Sequence, residues 1–166
     1  FPLPGTPVRD PSGYYGTAAG LAKVAAAGER LKLEVLGRIV RLTPAGDGWY
    51  TPELMLGGIV PVPVAKLKDM AVAFRSVNGE DIVFLREGAK VRTAGKRAER
   101  TPIPASWLRY LGQYDLLSSE ERQIKLDSFR IALHEGFLVA VLAAEGESGR
   151  FVLQPVSEDE AVLFGL

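Results

Sequence analysis

Hydrophobic and polar residues alternate with period two along most of this chain, and Gly-containing turns cut the alternation into short segments. Leu31, Leu33 and Val35 share one face of a strand whose other face carries Lys32 and Glu34. Met70, Val72 and Phe74 alternate with Ala71, Ala73 and Arg75, and after Asn78-Gly79 the returning segment sets Ile82 and Phe84 on one face. Asn-Gly is the favoured two-residue hairpin pair because both positions tolerate positive φ, and it is the best single structural signal in the chain. Gly28-Glu29, Gly37 and Pro44-Ala45-Gly46-Asp47-Gly48 punctuate the earlier strands in the same way, and Trp49 and Tyr50 start a further one. The stretch Leu21-Ala22-Lys23-Val24-Ala25 is open to a helix, since Ala is the best helix former. A strand is preferred, as the second part of a long strand bent at Gly20, because Gly28-Glu29 then closes a hairpin into residues 30–36.

Prolines and charges sort the remaining segments. Pro2, Pro4, Pro7 and Pro11 with Gly5 make residues 1–12 an extended linker expected on a surface. Pro61 and Pro63 bar residues 57–64 from an interior strand, because each deletes a ladder donor, and leave them as an edge or crossing segment. Residues 89–101 are polar and read as a connector. Their basic cluster Lys90, Arg92, Lys96, Arg97 and Arg100 is diluted by Glu87 and Glu99 and is expected to be solvated. Residues 102–110 are expected to form a short helical turn that plugs or caps the fold. Strands follow over 113–117, 124–133, 137–144 and 150–156, with turns at Glu135-Gly136 and 145–149. Ser157-Glu158-Asp159-Glu160 then precedes a last strand over 161–164.

This strand-and-turn pattern looks written twice. One copy opens at Gly13-Tyr14-Tyr15-Gly16-Thr17 and runs to Gly46-Asp47-Gly48-Trp49-Tyr50; the other opens at Tyr110-Leu111-Gly112-Gln113-Tyr114 and runs to Ser148-Gly149-Arg150-Phe151-Val152-Leu153. The expected architecture is all-β: an antiparallel meander of roughly ten to twelve strands with little helix, closed into a barrel built from two related halves. The halves are 13–100 and 101–166, behind the linker 1–12. Closure removes the unpaired edges that a long meander would leave open to aggregation.

Composition narrows the function classes. A chain of 166 residues, 47% hydrophobic and 24% charged, is an ordinary globular one with room for a real core. Twenty basic and twenty acidic side chains give zero net charge, so the basic excess that neutralises phosphates is missing and nucleic acid is not an expected partner. With no cysteine, disulfides, thiol catalysis and Cys-type zinc sites are excluded, while the redox compartment stays open. No apolar stretch approaches the roughly 20 residues of a membrane-spanning helix. The chain opens on Phe1 with no signal-peptide pattern, and reads as a segment of a longer polypeptide.

Candidate chemistry is sparse. His134 is the one histidine, in His134-Glu135-Gly136, and nothing in the spacing of Asp115, Asp127 or the serines selects a triad with it. A His-x-Gly strand in a penicillin-recognising hydrolase works beside Ser-x-x-Lys and Tyr-x-Asn, and neither occurs here, so His134 reads as a turn residue. No catalytic residue, metal site or cofactor is assigned; Glu158-Asp159-Glu160 reads as a solvated turn before a calcium site. Gly57-Gly58 and Gly46-Asp47-Gly48 lack the Lys-Ser/Thr of a phosphate loop. The aromatics remain. An eight-stranded barrel is just wide enough to be filled by side chains or to hold one small ligand. Tyr15, Trp49, Tyr50, Phe74, Phe84 and Phe129 are the candidate lining of such an interior. Ile59, Val60, Val62 and Val64, with Trp107 and Leu108, are the candidates for an exposed docking patch.

Tyr15-Gly16-Thr17, Leu31-Lys32-Leu33, the Leu42-x-Pro44 turn, Trp49-Tyr50 and Phe74 before Asn78-Gly79 together resemble the lipocalin-like β-barrel domain that follows the catalytic domain in serine β-lactamase-type, penicillin-binding-protein-like hydrolases. Trp107, Leu111-Gly112-Gln113-Tyr114, Leu153-x-Pro155 and Glu160-Ala161-Val162 look like a second module of that type, ending at Leu166 where a full copy would have more strands. The resemblance implies a non-catalytic accessory domain that shapes substrate access or oligomer assembly. Its implied partner is an N-terminal catalytic domain in the same polypeptide, with homo-oligomers possible and a periplasmic or secreted setting slightly favoured. The family's catalytic residues lie in that other domain, so none maps onto this chain. The rival expectation is a lipocalin-like binder of a small apolar ligand, which requires a cavity where the accessory role expects a filled interior.

Overall fold

Leu36-Gly37, Asp47-Gly48, Asn78-Gly79, Glu135-Gly136 and Glu145-Gly146 each hold two consecutive positive φ angles, the geometry of tight hairpins whose twist matches their strands. The computed structural model describes residues 2–115 and 126–165, and these turns divide it into fifteen strands. They are β1 (Thr6–Pro7), β2 (Gly13–Thr17), β3 (Gly20–Ala27), β4 (Arg30–Val35), β5 (Arg38–Gly46), β6 (Trp49–Leu56), β7 (Val60–Val62), β8 (Met70–Val77), β9 (Glu80–Glu87) and β10 (Lys90–Ala98), then β11 (Gly112–Tyr114), β12 (Ser128–His134), β13 (Phe137–Ala144), β14 (Glu147–Pro155) and β15 (Ala161–Leu163). The helix present is two 3-10 turns, Ala65–Leu67 and Ala105–Tyr110.

All pairings are antiparallel. Strands β2 to β6 follow one another as a meander, and so do β8 to β10. Two further pairings close the ring: Trp49↔Ala73 and Tyr50↔Val72 join β6 to β8, and Lys96↔Gly16 lies in the ladder that joins β10 to β2. The result is an eight-stranded up-and-down barrel completed within Gly13–Ala98, the first of the two repeat halves. The second half is also a meander, β11 to β15 in order, but it forms a separate open sheet. This five-stranded sheet is open and buries its apolar face on the barrel's outer wall. There Phe137, Val139 and Val152 pack with Ala98, Tyr14 and Leu21. Leu42, Leu31, Val24 and Phe74 belong to a different core, inside the barrel.

Several expectations need correcting. Residues 14–27 are a hairpin where one bent strand was expected, because the Ala19 N–H donates to Thr17 Oγ1 at 3.1 Å and that hydroxyl donates to the Gly20 carbonyl at 2.7 Å, fixing a tight turn. The Pro-rich opening is partly laddered, with Thr6 opposite Ser76 on β8 and the Val8 N–H donating to the Phe74 carbonyl at 3.1 Å. Residues 90–98, expected as a solvated connector, are barrel strand β10. Small Ala94 and Gly95, a register shift between Thr93 and Gly95 and an ion-paired Arg97 replace the apolar alternation by which a strand is usually recognised. Other expectations stand: β7 is an edge strand on β6, residues 105–110 form the helical turn, and β15 follows the Ser157 turn. The strands expected over 113–117 and 124–133 are observed as β11 and β12; residues 116–125 lie outside the described residues.

Candidate functional site: an apolar cavity at one end of the barrel

The two ends of the barrel are built differently. At one end, where β8 turns into β9, Arg97 points inward from β10 and closes the floor. Its Nε donates to Asp81 Oδ2 at 2.8 Å, Nη1 to the Ser12 carbonyl at 2.6 Å and Nη2 to the Asp10 carbonyl at 2.8 Å. The guanidinium lies 5.1 Å from the centre of the Tyr15 ring, whose hydroxyl donates to the Pro11 carbonyl at 2.8 Å. The Pro-rich segment is thus strapped across this end by side chains of the barrel. Burial pushes the Tyr15 hydroxyl well above its ordinary pKa, against the opposing pull of Arg97, so it stays a neutral donor. The Ser12 N–H donates to Asp10 Oδ1 at 3.0 Å and holds that carboxyl below its usual range. Above this floor the interior is filled: Phe74 packs at 5.3 Å from Tyr15 and 6.0 Å from Tyr50, beside fully buried Leu42.

Towards the opposite end the inward side chains become small. Ala22 on β3, Ala18 and Ala19 in the β2–β3 turn and Ala94 on β10 leave a cavity of about 240 Å³. Val24, Leu33, Val35, Val72, Val83 and Leu85 supply its apolar wall, Tyr15 and Phe74 are its aromatic members, and Thr17 contributes a hydroxyl already engaged in the turn. Among the described residues Arg92 is the one charged side chain in the lining. It pairs across the ladder with Leu85, another lining residue, and is itself exposed. Lining residues and floor together make a pocket closed and apolar at the bottom, with a single cation among the described residues at its rim.

The six aromatic candidates divide on strand parity. Tyr15 and Phe74 line the cavity, and Tyr50 points inward beneath it, packed on Phe74. Trp49 and Phe84 do not. Both are register partners of Ala73, one on each side, so Trp49, Ala73 and Phe84 form a row on the outer wall, with Arg86 4.6 Å from the Trp49 ring centre. The inward residues of β9 are Val83 and Leu85, one step out of phase with Ile82 and Phe84. Phe129 belongs to the second sheet and stacks on Tyr114 at 5.5 Å. The signal that would have found the cavity is an alanine at inward positions on the two strands that flank β2, Ala22 on β3 and Ala94 on β10. Arg92 was hidden inside a run read as a solvated connector.

A second concavity, of about 150 Å³, lies where the outer wall meets the second sheet and holds His134, Glu135, Lys23, Glu34 and Arg150. The Tyr14 hydroxyl and Lys23 Nζ both donate to the Glu135 carboxylate, the latter at 3.3 Å. The Tyr14 bond, then Lys23, lowers the Glu135 pKa. Arg100 Nε donates to the Glu135 carbonyl at 2.6 Å, so the His134-Glu135-Gly136 turn is a clamp between the layers. Among the described residues no serine lines this concavity. At the Ser157 turn the Oγ donates to Asp159 Oδ1 at 2.9 Å and accepts the Glu160 N–H at 3.0 Å, ordering the acidic run as a turn.

The docking candidates also separate. Ile59 and Val60 are exposed at 82% and 55%, next to Leu56 at 69%, whereas Val62 and Val64 are half-buried. Leu108 is half-exposed, but Trp107 is 4% exposed and its Nε1 donates to the Ser157 carbonyl at 2.9 Å. Trp107 is therefore an internal anchor of the helical turn and contributes nothing to a surface patch. Among the described residues no group of three or more His, Cys, Asp or Glu side chains is placed to hold a metal, and no helix is long and apolar enough to cross a membrane. Comparison of the chain with protein-family models, with curated proteins and with solved structures finds no match in any of the three.

Proposed function

We propose that the barrel binds a small, largely apolar molecule in the cavity between Ala22, Val35, Leu85 and Ala94. The observation that carries this reading is the cavity itself: about 240 Å³ of space with an apolar wall, beside a floor packed and hydrogen-bonded shut. An apolar void of about 150 Å³ stays dry and takes up benzene, so this one suits a single substituted ring or a medium-length chain. Apolar burial drives the binding, and the rigid barrel lowers its ordering cost. Titration with an uncharged naphthalene-type fluorophore is expected to give one site with a Kd of roughly 10 µM to 1 mM. The variant Ala22→Leu, which grows a side chain into the void, is expected to abolish that signal while its circular dichroism matches the wild type. Unchanged binding in this variant would place the probe elsewhere and sink the reading.

A second reading draws on the exposed apolar residues Leu56, Ile59 and Val60 along β6 and its edge partner β7. It holds that the chain is a non-catalytic accessory domain, docked on a serine β-lactamase-like catalytic domain of the same polypeptide. The coding sequence upstream of Phe1 tests it directly. A preceding domain with Ser-x-x-Lys and Tyr-x-Asn would support the accessory role, and an initiator Met immediately upstream would overturn it.

A further inference from the structure

The cavity carries an electrostatic asymmetry that narrows its ligand. Thirteen of the fourteen described residues that line it are uncharged and the fourteenth is Arg92. Among the described residues no acidic side chain lines it and no carboxylate forms an ion pair with Arg92, although Arg38, Arg41 and Arg97 each have one. Arg92 also sits at the open end. The floor cation Arg97 is neutralised by Asp81 and capped by two carbonyls, so it is closed to a ligand. Thr17 is likewise spent on its own turn. A molecule entering tail first would meet apolar wall along its body and, at its head, one guanidinium that no described carboxylate opposes.

We propose, resting on the cavity-binding reading, that the ligand is a monoanionic amphiphile: an apolar body inside the barrel and a single carboxylate held by Arg92 at the mouth. The planar fork of a guanidinium matches a carboxylate in a two-bond geometry. Placement at the rim avoids stripping either charge of water, which is what makes deeply buried ion pairs costly. A cationic head is disfavoured at the same spot, and a neutral one gains only the apolar contact.

Three probes of one chain length separate these terms: octanoate, octan-1-ol and octylammonium, titrated calorimetrically into wild type and Arg92→Gln. In the wild type octanoate is expected to bind about 5–20-fold more tightly than octan-1-ol, with octylammonium weakest. Arg92→Gln is expected to erase that preference while leaving octan-1-ol within about twofold of wild type, since the apolar wall is untouched. Raising the salt from about 20 mM to about 0.5 M should shrink the octanoate advantage in the wild type alone. A preference for octanoate that survives Arg92→Gln, or equal binding of octanoate and octan-1-ol by the wild type, overturns the anchoring role. In both cases binding of octan-1-ol leaves the cavity reading standing. Failure of all three probes to bind would remove both.

Discussion

Gly20→Ala is expected to destabilise the protein by about 2–5 kcal/mol, a large share of the roughly 5–15 kcal/mol that folds a typical domain. Two costs coincide at this residue. Its φ of +105° is a backbone conformation that side chains with a Cβ rarely adopt. A Cβ built there would lie 2.6 Å from the Arg150 carbonyl oxygen, which is backbone of β14 and cannot swing aside. The second sheet approaches the barrel through this contact, because Gly20 opens β3 where β14 crosses it. The turn cannot relax to make room, since Thr17 Oγ1 ties down both the Ala19 N–H and the Gly20 carbonyl. Gly37→Ala is the matched control: its φ of +68° is also left-handed, but nothing lies within 4 Å of the added methyl, so only the conformational cost of about 1–2 kcal/mol applies. Urea midpoints of the two variants measure the difference. Equal losses would show that the close approach of the two layers contributes nothing to stability.

The contrast between these glycines marks where sequence reading works. Asn78-Gly79 and Gly37 announce their turns because the demand for positive φ is local, and the alternation of Leu31, Leu33 and Val35 follows from the pleat alone. Gly20 was recognised as special, yet its reason is a carbonyl 130 residues further along the chain, which no local pattern contains. Closure of the barrel is of the same kind. The β6–β8 ladder rests on Trp49↔Ala73 and Tyr50↔Val72, two pairs separated by an edge strand and a 3-10 turn.

Parity was the other limit. In a half-buried strand the apolar face names the core, but the outer wall of this barrel is itself covered in places, so Phe84 is as buried as Val83 while facing the other way. Hydrophobicity then ceases to say which face is inside, and Trp49 and Phe84, expected in the interior, lie on the outer wall. The candidate site was legible only through Tyr15 and Phe74, with Tyr50 packed beneath them. Its defining features are the small residues Ala18, Ala19, Ala22 and Ala94 and one arginine, Arg92, left without a carboxylate by the described residues, which is a property of three dimensions.

Leu42→Ala is expected to cost about 2–5 kcal/mol, because it removes a fully buried side chain from the filled end of the same barrel. Leu42 faces inward from β5, opposite Leu31 on β4 and Pro52 on β6, within the core formed by Tyr15, Val24, Phe74 and Val83. The existence of a stable void at the open end does not soften this expectation. That void opens where Ala18, Ala19, Ala22 and Ala94 present little bulk and the closed circumference holds the strands apart, so no side chain has been removed from it. At Leu42 the neighbours are packed against a side chain that would vanish, and the closed ladder of eight strands prevents the wall from collapsing onto the gap. Leu56→Ala is the control, since its side chain is largely in solvent and the change should stay within about 0.5 kcal/mol. Denaturant midpoints with an unchanged slope would carry the comparison. A loss below about 1 kcal/mol at Leu42 would mean that the closed end is as loosely packed as the mouth, and that the line between core and cavity drawn along the barrel is in the wrong place.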